Sequence, residues 1–349
     1  MKVQQFNENW LFGKILEEGR QDATSMRDPS PRANSPRAVT LPHDAMIHEK
    51  RGPETGSSGN GYFSGGKYIY KKLFYCPRDW AEKTVLLHFG GVYRNAVVSL
   101  NNKELMTHAY GYSDFTVDLS GLLNFGADNL IEVAVDNSEL PNSRWYSGSG
   151  IYRPVEIITG GAEHICFRGV RISTVGVEPP KIRVETRAVM EKSSRVQVEI
   201  LDGGQVLARG GGEELELDLP QAELWSDENP KLYTCRVRLE SENGEALDEC
   251  LESFGIRKLS YGTDGFFVNG RETLLRGGCI HHDNGILGAV CLKEAEERRV
   301  RMLKEAGFNA IRSAHNPASR ELLEACDKYG VYVMDETWDM WYKHKTPHD

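Results

Sequence analysis

The chain has 349 residues, 42 of them Lys or Arg and 51 Asp or Glu, for a formal net charge of −9. At roughly 100–200 residues per domain this predicts two or three domains, and the acidic balance excludes a broad face for nucleic acid. No apolar run approaches the roughly 18–20 residues of a membrane span, so no membrane partner is expected. The opening Met1-Lys2-Val3-Gln4-Gln5-Phe6-Asn7-Glu8 has no apolar h-region, and no signal peptide is read. Seven cysteines (Cys76, Cys166, Cys235, Cys250, Cys279, Cys291, Cys326) are scattered without a C-x-x-C pair. That spacing suggests neither a disulfide framework nor a zinc knuckle, and it points to a reducing, cytoplasmic location.

Residues 1–160 read as short strands. Tyr68 to Tyr75, Thr84 to Phe89 and Leu130 to Val135 are rich in β-branched and aromatic side chains, bounded by Gly, Pro, Asn and Asp. Val97–Leu100 and Glu104–Met106 flank Asn101-Asn102-Lys103, a hairpin turn. A jelly-roll β-sandwich is expected here. Residues 161–259 supply a second strand set: Lys181–Thr186, Arg195–Ile200, Gln205–Ala208, Tyr233–Leu239 and Leu251–Ile256. Turn signals every 8–12 positions over about 100 residues fit an immunoglobulin-like β-sandwich without the Cys-Trp-Cys core.

After residue 260 the apolar period changes from two to 3.6. Leu292 to Ala306 predicts an amphipathic helix with Ala295, Arg299, Met302, Leu303 and Ala306 on neighbouring turns, stopped by Gly307. Asn309-Ala310-Ile311-Arg312 is a short strand. Ser319 then caps a helix with Leu322, Leu323, Cys326 and Tyr329 on one face, ended by Gly330. Val331–Met334 is the next strand, so the order predicts right-handed βαβ units and a parallel sheet. A closed eightfold barrel needs about 250 residues; residues 260–349 read as an incomplete TIM barrel of three strands and two helices.

Reactive side chains gather at the carboxyl ends of these strands: Ile280-His281-His282-Asp283, Ser313-Ala314-His315-Asn316 and Asp335-Glu336. Parallel α/β folds place their sites there. Adjacent His281 and His282 point to opposite faces of an extended segment, which argues against one metal ion and leaves the metal assignment at none. For the same reason Asp335 and Glu336 cannot flank one sugar bond; one faces the barrel mouth and the other serves structure.

These residues carry a family resemblance. Arg276-Gly277-Gly278-Cys279-Ile280-His281-His282-Asp283, Gly307 to Pro317 and Tyr329 to Glu336 resemble three successive barrel-strand motifs of glycoside hydrolase family 2, the family of large bacterial β-galactosidases and of β-glucuronidases. Leu41-Pro42-His43-Asp44, Ser143 to Val155, Leu224 to Tyr233, Phe254-Gly255-Ile256-Arg257 and Phe266 to Gly270 resemble its upstream motifs in the same order. The resemblance implies a retaining β-glycosidase with two catalytic glutamates, no cofactor, and a β-glycoside or oligosaccharide substrate. β-Galactosidase is the leading reading, β-glucuronidase the alternative within the family, and a non-catalytic carbohydrate-binding fragment the alternative outside it. A homo-oligomer is compatible with all three.

The resemblance implies that both glutamates lie beyond this chain. The Asn-Glu dipeptide Asn7-Glu8 precedes the strands and is no candidate. His281 and His315 match histidines that bond sugar hydroxyls as the ring flattens. Arg312 matches an arginine beside the nucleophile, and Arg276 is assigned a neighbouring carboxylate. Asp335 is expected to accept from a sugar hydroxyl. Arg144, Trp145 and Tyr146 fall in the loop by which the first sandwich reaches the barrel mouth, where an aromatic either stacks on sugar or plugs the seam. The metal-binding Glu and His of the largest β-galactosidases are not matched by Thr337-Trp338-Asp339-Met340-Trp341, so no magnesium site is expected.

Overall fold

The structure, a computed structural model, describes residues 1–15, 36–339, 342, 343 and 345–348; Met340 and Trp341 of the segment just named lie outside them. Alternation of apolar and polar side chains builds the first half. Along Ala127–Asp136, Ile131, Val133 and Val135 are buried while their neighbours are partly exposed, the period-two pattern of a strand with one face inward. This strand is central in a six-stranded antiparallel sheet ordered Arg37–Val39, Trp10–Ile15, Lys67–Cys76, Ala127–Asp136, Ala96–Leu100, Lys103–His108. A four-stranded sheet of Lys2–Gln5, Val155–Gly160, Thr84–Phe89 and Phe115–Asp118 faces it. Trp10, Tyr68, Tyr70, Leu87, Phe89 and Ile131 are among the residues of the shared core.

The hairpin between Ala96–Leu100 and Lys103–His108 turns on Asn101 and Asn102, at φ 50° and 68°. Lys103 already pairs with Leu100, so the loop has two residues rather than three. Both turn residues are left-handed, as the twist-matched hairpin turn requires. Asn101 is further held by its side chain, whose Oδ1 accepts from the Leu130 N–H at 2.9 Å.

A second sandwich packs His164–Val177, Pro180–Val189 and Glu214–Asp218 against Gln205–Gly211, Arg195–Asp202, Tyr233–Glu240 and Ala246–Phe254. Its core includes Ile182, Val184, Val198, Ile200, Val237 and Leu239. A short antiparallel meander, Leu259–Gly262, Gly265–Val268 and Arg271–Glu272, follows. The period analysis did not anticipate it, because its strands are only two to four residues long.

Three parallel strands, β1 (Gly277–Ile280), β2 (Ala310–Ser313) and β3 (Tyr332–Asp335), lie in that order. They alternate with helices α1 (Lys293–Glu305) and α2 (Arg320–Tyr329). Ser319 caps α2 by accepting the Leu322 N–H, and Gly330 ends it at φ 73°. One face of the sheet, Ile280, Ile311 and Val333, packs with Val300, Leu322, Ala325 and Cys326 of the helices. The opposite face carries Cys279, Arg312 and Met334 in register. At its amino end Ala310 and Tyr332 are covered by Trp225, Phe266 and Val268. Helix α1 departs from the expected face: it buries Glu296 and Val300, while Met302 is exposed.

Where the two sandwiches meet, His88 is buried with Nε2 3.0 Å from Asp114 Oδ2 and Nδ1 3.2 Å from Glu156 Oε2. Phe167 of the second sandwich packs on its ring, and Arg168 pairs with Asp114. Burial opposes a charged ring, but hydrogen bonds to Asp114 and Glu156 outweigh it and raise the His88 pKa. The bond from His88 in turn holds Asp114 down to about 2 and lowers Glu156. The raised histidine stabilises fully below its unfolded value of about 6.5, and that contribution disappears as pH rises through the folded value. The lowered acids stabilise above their unfolded values of about 4, and lose this as pH falls.

Two outcomes follow from these local features. Asn102→Gly should raise the thermal midpoint of unfolding, whereas Asn102→Val, forcing a β-branched residue to positive φ, should cost about 1–2 kcal/mol. His88→Gln should destabilise most at about pH 5–6, and its deficit against the parent should shrink toward alkaline pH. Denaturant titrations across a pH series measure this difference directly.

Candidate functional site

The carboxyl ends of the parallel strands meet the 143–153 loop of the first sandwich. His281 follows β1, and its Nδ1 lies 2.6 Å from the Ala314 carbonyl. A carbonyl only accepts, so Nδ1 carries the proton and Nε2 is left as the ring atom open to a ligand. His315 follows β2, with Nδ1 3.1 Å from Glu336 Oε2 and 3.3 Å from Arg312 Nη2. The carboxylate is the closer partner, and it likewise directs the free ring atom of His315 to Nε2. The two rings meet edge to face with centroids 5.6 Å apart.

Trp145 closes this group. It is buried, donates from Nε1 to the Tyr112 hydroxyl at 2.9 Å, lies nearly parallel to His281 at 12° and packs 5.1 Å from His315. Of the two roles expected for it, the seam plug is the one its burial matches. Tyr146 points elsewhere, donating to Asp44 Oδ2 at 2.7 Å and packing on Phe63. Arg144 makes a two-pronged pair with Asp339, Nη2 lying 3.0 and 2.8 Å from its two carboxylate oxygens.

Arg312 projects from β2 onto the open face of the sheet. Its Nε donates to Glu336 Oε1 at 2.8 Å and its Nη1 to Cys279 Sγ at 3.3 Å; the two partners together raise its pKa, the thiol first. Glu336, not Asp335, therefore belongs to the site. Asp335 sits on the helix side and accepts the Ala318 N–H at 2.9 Å, because successive strand residues face opposite ways. Arg276 is also not brought to this group. It precedes β1, at the far end of the strand from His281, and borders a small crevice with Asn309 and Tyr332. Glu8 lies apart, accepting from Thr40.

Asp339 went unassigned in the sequence reading. Its side chain is only 7% exposed and meets Arg144, Lys345 at 2.9 Å and His315 at 3.6 Å. Burial works against its ionisation, but Lys345, Arg144 and His315 outweigh it and hold the carboxyl below the ordinary range. Tyr110 donates to the Thr337 carbonyl at 2.7 Å and packs on Trp338, so with the Arg144–Asp339 pair the 337–339 segment is docked on the first sandwich. Between them lies a cavity of about 450 Å³ whose wall includes Tyr110, Tyr112, Trp145, His315, Trp338 and Asp339. An aromatic and hydrogen-bonding lining of this kind suits a sugar, which offers C–H faces and hydroxyls together. No periodic signal marks Asp339; its place three residues after the β3 motif and its acidic type are the only clues.

Known proteins resemble this chain in sequence and in fold. Residues 171–257 match the family described as glycosyl hydrolases family 2, and residues 262–343 match the TIM barrel domain of that family. The β-galactosidase BoGH2A of Bacteroides ovatus is 37% identical over 99% of this chain, which spans 42% of that protein. A β-glucuronidase of Bacteroides fragilis is 27% identical over 86% of the chain and is spanned to 46%. Among solved structures, a family 2 glycosyl hydrolase from Bacteroides cellulosilyticus superposes with a TM-score of 0.84 at 34% identity, covering 99% of this chain and 47% of its own. A β-glycosidase from Bacteroides vulgatus gives 0.88 at 29% identity, covering 100% and 46%. The chain belongs to glycoside hydrolase family 2. It spans a little under half the length of these relatives.

Asp339→Asn should weaken the docking of the 337–339 segment by about 1.5–3 kcal/mol, the range for hydrogen bonds to charged groups. A double-mutant cycle with Arg144→Ala, read by equilibrium unfolding, should return a coupling of about 1 kcal/mol.

Proposed function

We propose that this chain forms the sugar-binding sandwich, the intervening sandwich and the first barrel strands of a retaining β-glycosidase, with domains at 1–160, 161–259 and 260–349. The first sandwich is read as a jelly roll and the second as immunoglobulin-like. The reaction needs one glutamate to attack the anomeric carbon and a second to protonate the leaving oxygen and later activate water. We assign both to residues beyond these 349. The observation that carries the reading is the pair of histidines, His281 and His315, each anchored through Nδ1 with Nε2 free beside Trp145. Such groups bond sugar hydroxyls, and the bonds strengthen as the ring flattens in the transition state. Arg312 and Glu336 hold His315 in place and act as positioning residues.

A galactoside is favoured over a glucuronide. Arg144 and Arg312, beside the cavity, are paired with Asp339 and Glu336, and Arg94, which lines it, gives Nη1 to the His348 carbonyl at 2.8 Å and stands 3.8 Å from Glu139. Glu336 and Asp339 would repel one.

The test uses aryl β-galactoside and aryl β-glucuronide. These 349 residues alone should turn over neither, and turnover by them would overturn the placement of the glutamates. A longer form carrying the rest of a barrel should cleave the galactoside, and His315→Ala in it should lower kcat/KM roughly 10²–10³-fold, the size of the loss when one transition-state hydrogen bond is removed. Preference for the glucuronide would favour the second member of the family, and sugar binding without turnover would favour a binding module.

A further inference from the structure

Behind His281, between the first sandwich and the parallel unit, lies a closed-in cavity of about 10 Å³, close to the room that one water molecule needs. Arg153 of the sandwich, His282 of the loop after β1 and Glu296 of α1 line it. Each has one buried polar atom with no hydrogen-bond partner among the described residues: Arg153 Nε, His282 Nδ1 and Glu296 Oε2. The remaining atoms of these groups are engaged. Arg153 donates through Nη1 to the Tyr112 carbonyl at 2.9 Å and through Nη2 to the Pro317 carbonyl at 2.8 Å. Its Nη1 also reaches the Gly90 carbonyl at 3.4 Å. Glu296 Oε1 accepts from Asn284 Nδ2 at 2.8 Å, and Oε2 stands 3.7 Å from Arg299 Nε, an ion pair outside hydrogen-bond reach.

The protonation states follow from the partners. His282 Nε2 lies 3.0 Å from the Ser147 carbonyl, which only accepts, so Nε2 holds the proton. Burial pushes the ring pKa down to about 3, so the imidazole is neutral and Nδ1 is a bare lone pair. Burial pushes the Glu296 carboxyl up, and Arg299 and Asn284 act against that rise; as the carboxylate paired with Arg299 its Oε2 is a second acceptor, and Arg153 Nε–H is a donor. The wall therefore asks for two protons and one lone pair. A cation such as ammonium leaves the Arg153 N–H unmet, and an anion leaves His282 unmet. A water satisfies all three.

We propose that this cavity is a binding site for a single ordered water, accepting from Arg153 and donating to His282 and Glu296. The water joins the sandwich to α1 and to the loop that carries His281, so it steadies that histidine without touching it. Buried polar groups left over by direct packing are commonly completed this way.

A high-resolution crystal structure of the full chain tests the site, together with water-to-protein magnetisation transfer at the His282 ring in solution. Density for one water within about 3.2 Å of all three atoms, with transfer to the ring, is the expected result. A dry cavity, a cation in its place, or a Glu296 carboxyl turned to bond His282 Nδ1 directly would overturn it. In His282→Phe, which keeps a ring there but no Nδ1, the water density should be lost. Persistence at full occupancy would remove His282 from the site and overturn the assignment.

Discussion

The arrangement of the candidate site depends on one buried carboxylate. Asp44 is 1% exposed and accepts from the N–H groups of Met46, Ser149 and Ala289 and from the Tyr146 hydroxyl. These donors come from three stretches of chain, the farthest 245 positions away. A carboxylate taken out of water is tolerated only when its lone pairs are filled. Burial pushes the Asp44 pKa up, and its four bonds act against that rise. The segment around Asp44, the 143–153 loop and the loop after β1 are thereby pinned to one point. The close approach restricts its neighbours: a Cβ on Gly288 would stand 2.3 Å from Asp44 Oδ2, and one on Gly148 2.5 Å from the Ala289 side chain. Both glycines adopt positive φ, which only glycine does at little cost.

With that loop fixed, Trp145 lands on His281 and His315, and Arg144 lands on Asp339. The site is thus a product of docking between a β-sandwich and a parallel sheet. Arg299 of α1 adds to this from below, donating to the carbonyls of His281 and Asp283 and to Asn284. A helix that would otherwise bury only apolar groups gives part of its inner face to holding a loop. Glu296, which the expected face did not include, is buried in the same role, its Oε1 accepting from Asn284 Nδ2 at 2.8 Å.

Polar partners are linked along the same seam. Arg312, Glu336, His315, Asp339 and, on Asp339, both Arg144 and Lys345 form a continuous run of contacts from the sheet to the sandwich. Such a run orients each member through the next, and it leaves the two imidazole Nε2 atoms as the uncommitted polar groups beside the indole. Preorganised hydrogen-bonding groups of this kind favour a transition state that they meet without rearranging.

Much of this was legible in the sequence. Period-two alternation marked the strands of both sandwiches, Ser319 and Gly330 marked the limits of α2, and the motifs at residues 276–283, 307–317 and 329–336 placed reactive side chains at strand ends. These signals are local, set by backbone geometry and by which face meets water. Tertiary structure decided the rest. Whether Asp335 or Glu336 faced the site turned on a one-residue parity that only the helix packing settled. Arg276 fell at the wrong end of its strand, and Asp339 found Arg144 across 195 positions. Pairings over such distances follow from how two domains dock, and no pattern along the chain encodes the angle at which they meet.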